Sequence, residues 1–195
     1  MRENSNSVNI KDRRLAYHHG NLQDALVTAG LEVLRSRDSD DISLREVART
    51  VGVSATSVYR HFPNKQALID ALCIKGCEML AAVQRKAMAS AGGGQAGFDA
   101  SGLAYVRFAL ANPTLFRLMT RTPPTDKGFG GNEDPAIQEV LTNAATLLPV
   151  GATDHQRQVR ALHAWSLVHG ITMLVLEGRF PDDDEMIKAV IRTPS

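Results

Sequence analysis

Little in this sequence marks an enzyme, a secreted domain or a membrane protein. Only two of the 195 residues are cysteine. Cys73 and Cys77 stand four apart in a helical pattern, a separation that strains a disulfide, and they read as buried thiols of a reducing cytosol. No ligand-bearing neighbours complete a metal site around them. The opening "MRENSNSVNIKDRR" is polar throughout and has no apolar signal core. The longest apolar run, "ITMLVLEG", falls far short of the ~20 residues a span requires, so no membrane partner is expected. There is no phosphate-binding glycine loop, no nucleophile elbow, no His-Glu-x-x-His and no dinucleotide fingerprint. His18 and His19 are adjacent and point apart on a helix, a poor metal pair that belongs to an arm approaching DNA. No enzyme activity, cofactor or metal is therefore expected. Strand alternation and internal repeats are missing too.

Charge of one sign is also scarce, since the net formal charge is +1. Its distribution says more. Residues 42–65 carry Arg45, Arg49, Arg60 and Lys65 against Glu46 alone, whereas residues 133–195 hold 5 basic and 9 acidic side chains. A basic front and an acidic rear point the front toward a polyanion.

What is present is helical periodicity, and the fold class is all-α. Residues 1–16 read as a disordered arm. "NLQDALVTAGLEVLRSR" is an amphipathic helix capped by Asn21. Ser43 and Glu46 form a capping-box pattern for a second helix, and Gly52 stops it. Ser54 caps a third helix that ends before Pro63, and Asn64 caps a long fourth one to about Ala91. "AGGGQAG" at 91–97 reads as a flexible joint, with helices resuming at "GLAYVRFALAN". "TPPTDKGFGGNED" is a loop with Phe129 between glycines, placed to cover a pocket mouth, and Pro135 starts another helix. Asp154 caps a helix to about Glu177, and a last amphipathic helix follows. The domains read as an arm at 1–16, a DNA-binding unit at 17–72 and a regulatory unit at 73–195.

"ISLREVARTVGVSATSVYRHF" carries the function. Two short helices flank Gly52, and Ile42, Leu44, Val47, Ala48, Val51, Val53, Val58 and Phe62 are spaced for a small shared core. That is a helix-turn-helix pattern, whose second helix enters the DNA major groove. Its exposed side should carry Ser54, Ala55, Thr56, Ser57, Tyr59, Arg60 and His61. Small residues let the backbone approach base edges, hydroxyls reach bases or phosphates, and cations hold phosphates. Ser43, Arg45 and Lys65 flank that surface and face the backbone of the duplex.

These residues resemble the TetR family of transcriptional regulators. The likeness rests on "LREVARTVGVS", on "VYRHFPNKQALI" with Tyr59, His61, Phe62, Lys65 and Leu68, and on the lead-in "YHHGNL". It extends to "YVRFALANPTLFRLM" and to the Trp-x-x-x-His-Gly of "AWSLVHG". The resemblance implies a cytoplasmic homodimeric repressor that binds double-stranded operator DNA and is released by a small molecule.

The rear half supports this on its own terms. The helix from Asp154 is apolar nearly all round in its second half, so a partner subunit is expected to cover one side. Val168, Ile171 and Val175, with Ile187, Val190 and Ile191 of the last helix, are the interface candidates. Tyr105, Phe108, Phe116, Met119, Trp165 and His169 are the pocket candidates, most of which also suit a core. The competing reading is an effector-independent architectural or nucleoid-associated DNA binder of the same fold. A helical ligand-binding enzyme is disfavoured by the missing catalytic groups.

Overall fold

The computed structural model describes residues 22–36, 41–121, 138–139, 142–144 and 147–192. The described residues form helices and no strand. The expected arm, the Asn21 cap, the Pro135 helix start and the loop at 122–134 with Phe129 lie outside the described residues. Helices α1 (Leu22–Arg35), α2 (Leu44–Val51) and α3 (Ala55–Tyr59) form the front. Helix α4 (Lys65–Ser90) leads to α5 (Gly94–Ala111), α6 (Pro113–Arg121), α7 (Asp154–Leu176) and α8 (Asp184–Ile191). Residues 138–139 and 142–144 are also helical.

The front three helices close on one core of Leu26, Val47, Val58 and Phe62, all essentially out of solvent. Helix α2 ends where Gly52 takes φ 79°, a conformation that favours glycine. The Val53 and Gly52 amides then bond Ala48 and Arg49 carbonyls, a Schellman turn that aims α3 across α2. The start of α2 differs from expectation. Ser43 has the backbone of a cap, but its side chain makes no capping bond. The capping box lies elsewhere: Thr153, not Asp154, caps α7, with Thr153 and Gln156 bonding reciprocally.

The glycine run is also tighter than its composition suggests. Helix α5 begins at Gly94, well before residue 102, and Gly92, Gly93 and Gly94 all have positive φ. The turn folds α5 straight back along α4. Gly97 permits this, because a Cβ there would lie 2.9 Å from the Met88 carbonyl oxygen. Helix α5 is thus the central element, packed against α4, α6, α7 and α8. Arg107 ties it to the start of α8 through Asp182 and Asp184. The hydrogen bond with Asp184 raises the arginine pKa further. Cys73 and Cys77 are buried thiols in the α4 core, with no disulfide.

Candidate DNA-binding face and sensor core

Val58 and Phe62 anchor α3 from below, which fixes what it shows above. Ala55, Thr56, Tyr59, Arg60 and His61 are exposed, as are Ser43 and Arg45 on α2. Thr56, Tyr59, Arg60 and His61 spend no side-chain hydrogen bond on the described chain. Two candidates are used differently. The Ser54 side chain accepts from the Ser57 amide, and the two hydroxyls bond each other at 2.9 Å. They stiffen the start of α3 and leave Ala55 and Thr56 exposed beside them. Lys65 is exposed but pairs with Asp41 from the segment before α2. Its charge is therefore partly committed within the chain, a pairing that the 24-residue separation hides from a reading of the sequence.

The aromatic candidates of the rear half meet in one place. Tyr105 meets Phe116 edge-on at 5.6 Å between ring centroids. His169 stacks on Trp165 at 5.2 Å and shares a 3.0 Å hydrogen bond between its Nδ1 and the Tyr105 hydroxyl. Burial lowers the His169 pKa, so the ring is neutral at neutral pH. Phe108 is buried in the same core, and Met119 lies where α6 crosses Gly76. A separate cleft of about 70 Å³ opens between α1, α4 and the α5–α6 corner, lined by Leu31, Leu34, Met79 and Leu115. Among the described residues, no three His, Cys, Asp or Glu side chains gather as a metal site.

Most of the interface candidates face the chain's own core. Val168, Ile171, Val175 and Ile187 are buried inside the chain itself, where Ile171, Val175 and Ile187 pack with Val106 from α5. Val190 and Ile191 are half-buried against the same cluster. An interface through the four buried residues would have to open the chain's own core. The uncovered face of α7 is the opposite one. Val159, Leu162, Leu167 and Leu174 are 47, 46, 38 and 42 % exposed, and Met186 of α8 is exposed as well. Ser166 and Gly170 lie within this face, and a Cβ on Gly170 would meet nothing within 4 Å. By length and composition alone α7 could cross a membrane. Its other face, however, is packed against α5 and α8.

One functional candidate escaped the sequence reading. Gln84 sits on the buried stripe of α4 with Cys73, Cys77, Leu80 and Ala81, and its amide meets Ser101 of α5. The available signal was a lone amide on an otherwise apolar helical stripe.

Comparison with known proteins places both halves. Residues 26–72 match the family described as bacterial regulatory proteins, tetR family. Residues 98–193 match the family described as tetracyclin repressor-like, C-terminal domain. A protein of unknown function from Rhodococcus sp. RHA1 is 32 % identical, with TM-score 0.72 over 92 % of this chain and 96 % of that one. A tetR-family transcriptional regulator from Streptomyces coelicolor shares the fold at 21 % identity and TM-score 0.63, over 87 % of this chain and 78 % of its own. A TetR family transcription regulator from Marinobacter aquaeolei VT8 does so at 17 % identity and TM-score 0.58, over 87 % and 91 %.

Proposed function

Because the chain belongs to the TetR family of DNA-binding transcriptional regulators, we propose that it is a cytoplasmic homodimeric repressor released from its operator by a small molecule. The observation that carries this reading is the division of labour on α3. Its apolar side is locked into the core by Val58, while Thr56, Tyr59 and Arg60 stand exposed with no partner in the described chain. Thr56 reads base edges, its methyl and hydroxyl suiting a thymine methyl or a base oxygen. Tyr59, Arg60, Arg45 and Ser43 hold phosphates and set the register.

Dimerisation follows from the uncovered α7 face. Four partly exposed aliphatic side chains on one helix, with Ser166 and Gly170 among them, suit a two-fold crossing with an identical helix. Two recognition helices then meet half-sites about one duplex turn, ~34–36 Å, apart.

Release works through α4. Its 26 residues extend about 39 Å, from Lys65 beside the DNA face to the turn at Gly92. It packs on α1 at the front and on α5 and α6 behind. A ligand near Tyr105, Phe116, Trp165 and His169 that favours the DNA-free arrangement displaces α4 and changes the spacing of the two recognition helices. Coupling of about 1–3 kcal/mol, roughly 5–150-fold in affinity, is the usual size, and operator DNA then weakens the ligand by the same factor. The deciding experiment is binding to the intergenic DNA beside the protein's own gene, with and without candidate small molecules. Specific binding that a ligand weakens fits the proposal. Uniform binding to any duplex, unmoved by ligands, fits the architectural alternative.

A further inference from the structure

Gln84 lies 19 residues along α4 from Lys65, about 28 Å from the DNA end of that helix. Only 2 % of it is exposed. Its Nε2 donates to the Ser101 hydroxyl at 3.4 Å, at the long limit for such a bond. Its Oε1 is buried and accepts from nothing, the one such side-chain atom among the described residues. Other buried polar groups are served: Thr172 donates to the Val168 carbonyl, and Asn143 donates to Glu139. A buried acceptor with no donor forfeits its hydration without return. Among the described side chains, that loss falls at one named atom.

The surroundings of that atom define what restores it. Ser101 stands three residues from Phe98 and four from Tyr105 on α5, so the three share a face. Phe98 and Trp165 pack about Ala144 and Ala161. Tyr105 bonds His169, which stacks on Trp165. The Gln84–Ser101 pair therefore joins α4 to the face of α5 that also carries Phe98 and Tyr105, and each of those rings leads on to Trp165 of α7. Every buried polar residue described is uncharged: Gln84, Ser101, Thr114, Asn143 and Thr172. Arg85, next to Gln84, turns outward and pairs with Glu139. Among the described residues, an anion beside this pair would find no buried counter-charge and would face an acceptor oxygen.

We propose that Gln84 and Ser101 form the polar floor of the effector site, and that the effector is an uncharged, flat, apolar molecule donating one O–H or N–H to Gln84 Oε1 while lying against Trp165. This rests on the ligand-responsive reading above and deepens it by naming the class of ligand, of which a phenol is the simplest member. The acceptor sits on α4 itself, so binding pulls directly on the helix that begins at the DNA face.

The test uses the full-length protein and four one-ring probes in calorimetry: phenol, toluene, acetophenone and benzoate. Phenol should bind on the order of tenfold more tightly than toluene, the size of one well-made buried hydrogen bond. Acetophenone, which only accepts, and benzoate, which is charged, should bind no better than toluene. Gln84→Met keeps the length and removes the amide. It should erase the preference for phenol and raise the thermal midpoint of the unliganded protein, because an unpaired polar group has gone. Retained preference in Gln84→Met, a lowered midpoint, preference for acetophenone or benzoate, or no binding of phenol at millimolar concentration each overturns the proposal. Operator affinity measured with phenol separates the two levels of the account. A Gln84-dependent preference for phenol that leaves operator binding unchanged upholds the site and refutes the release mechanism.

Discussion

Leu174→Arg should split the dimer while leaving the protomer folded. Leu174 is 42 % exposed on the uncovered face of α7, and arginine is a good helix former at an exposed position. Fully burying a leucine is worth about 1.5–3 kcal/mol, so covering the exposed fraction yields about 1 kcal/mol, or ~2 across a two-fold pair. The substitution removes that and strands two guanidinium groups in an apolar contact, each costing a further ~1–3 kcal/mol. The total, at least ~4 kcal/mol, weakens association by roughly a thousandfold. Sedimentation equilibrium should show a monomer at micromolar concentration, with unchanged far-ultraviolet circular dichroism and a large loss of operator affinity. Ile187→Ala is the counterpart. Ile187 is fully buried under α7, and truncation there should cost about 2–5 kcal/mol of fold stability without preferentially splitting the dimer. A Leu174→Arg protein that stays dimeric, or an Ile187→Ala protein that dissociates at full thermal stability, would refute the assignment of the uncovered face.

Tyr59→Ala should weaken binding to all duplexes alike, whereas Thr56→Ala should relax preference at one or two base positions by about 1–3 kcal/mol; a panel of operator variants reads both, and uniform losses for the two would sink the role given to Thr56. Asp41→Asn should raise operator affinity a few-fold, roughly, and steepen its salt dependence, because it frees Lys65 and removes a negative charge from the DNA side; weaker binding would mean that Asp41 positions Lys65 for its phosphate. Gly97→Ala gains about 1 kcal/mol in helix propensity but forces a Cβ to within 2.9 Å of the Met88 carbonyl oxygen, so a net loss of roughly 1–2 kcal/mol is expected by denaturant titration, and a stabilised variant would contradict the close α4–α5 contact. Burial lowers the His169 pKa below the ordinary 6.5, so its unfolded state binds the extra proton first; its contribution is whole above 6.5 and lost as pH falls through the lowered folded value. Thermal midpoints followed across that range should fall less in His169→Gln than in the parent, and parallel profiles would exclude the effect.

The front of the molecule was legible because its signals are local and agree. Ser54 caps α3, Gly52 takes the left-handed turn, and Val58 and Phe62 are buried as their spacing requires. Where two local signals competed, geometry decided. Ser43 and Glu46 have the spacing of a capping box without its bonds, while Thr153 and Gln156 make them beside a more conspicuous Asp154. The three glycines promised looseness by composition, but tertiary packing uses them for a tight reversal that brings Gly97 against α4. The inward turn of most interface candidates was hidden for a related reason. An apolar helix with little periodicity does not declare which side its own chain will cover, and only the docking of α5 and α8 shows that Val168 and Ile171 point inward and Leu162 and Leu174 outward. The pairing of Tyr105 with His169 spans 64 residues, and nothing local could announce it.

The central claim is sequence-specific recognition by paired α3 helices, and selection of bound duplexes from a random pool tests it most directly. The account predicts enrichment of a palindrome whose half-site centres lie about one duplex turn apart, lost together when Thr56, Tyr59 and Arg60 are replaced by alanine. Enrichment of no sequence, of a lone asymmetric half-site, or of the same palindrome by the triple variant would contradict it.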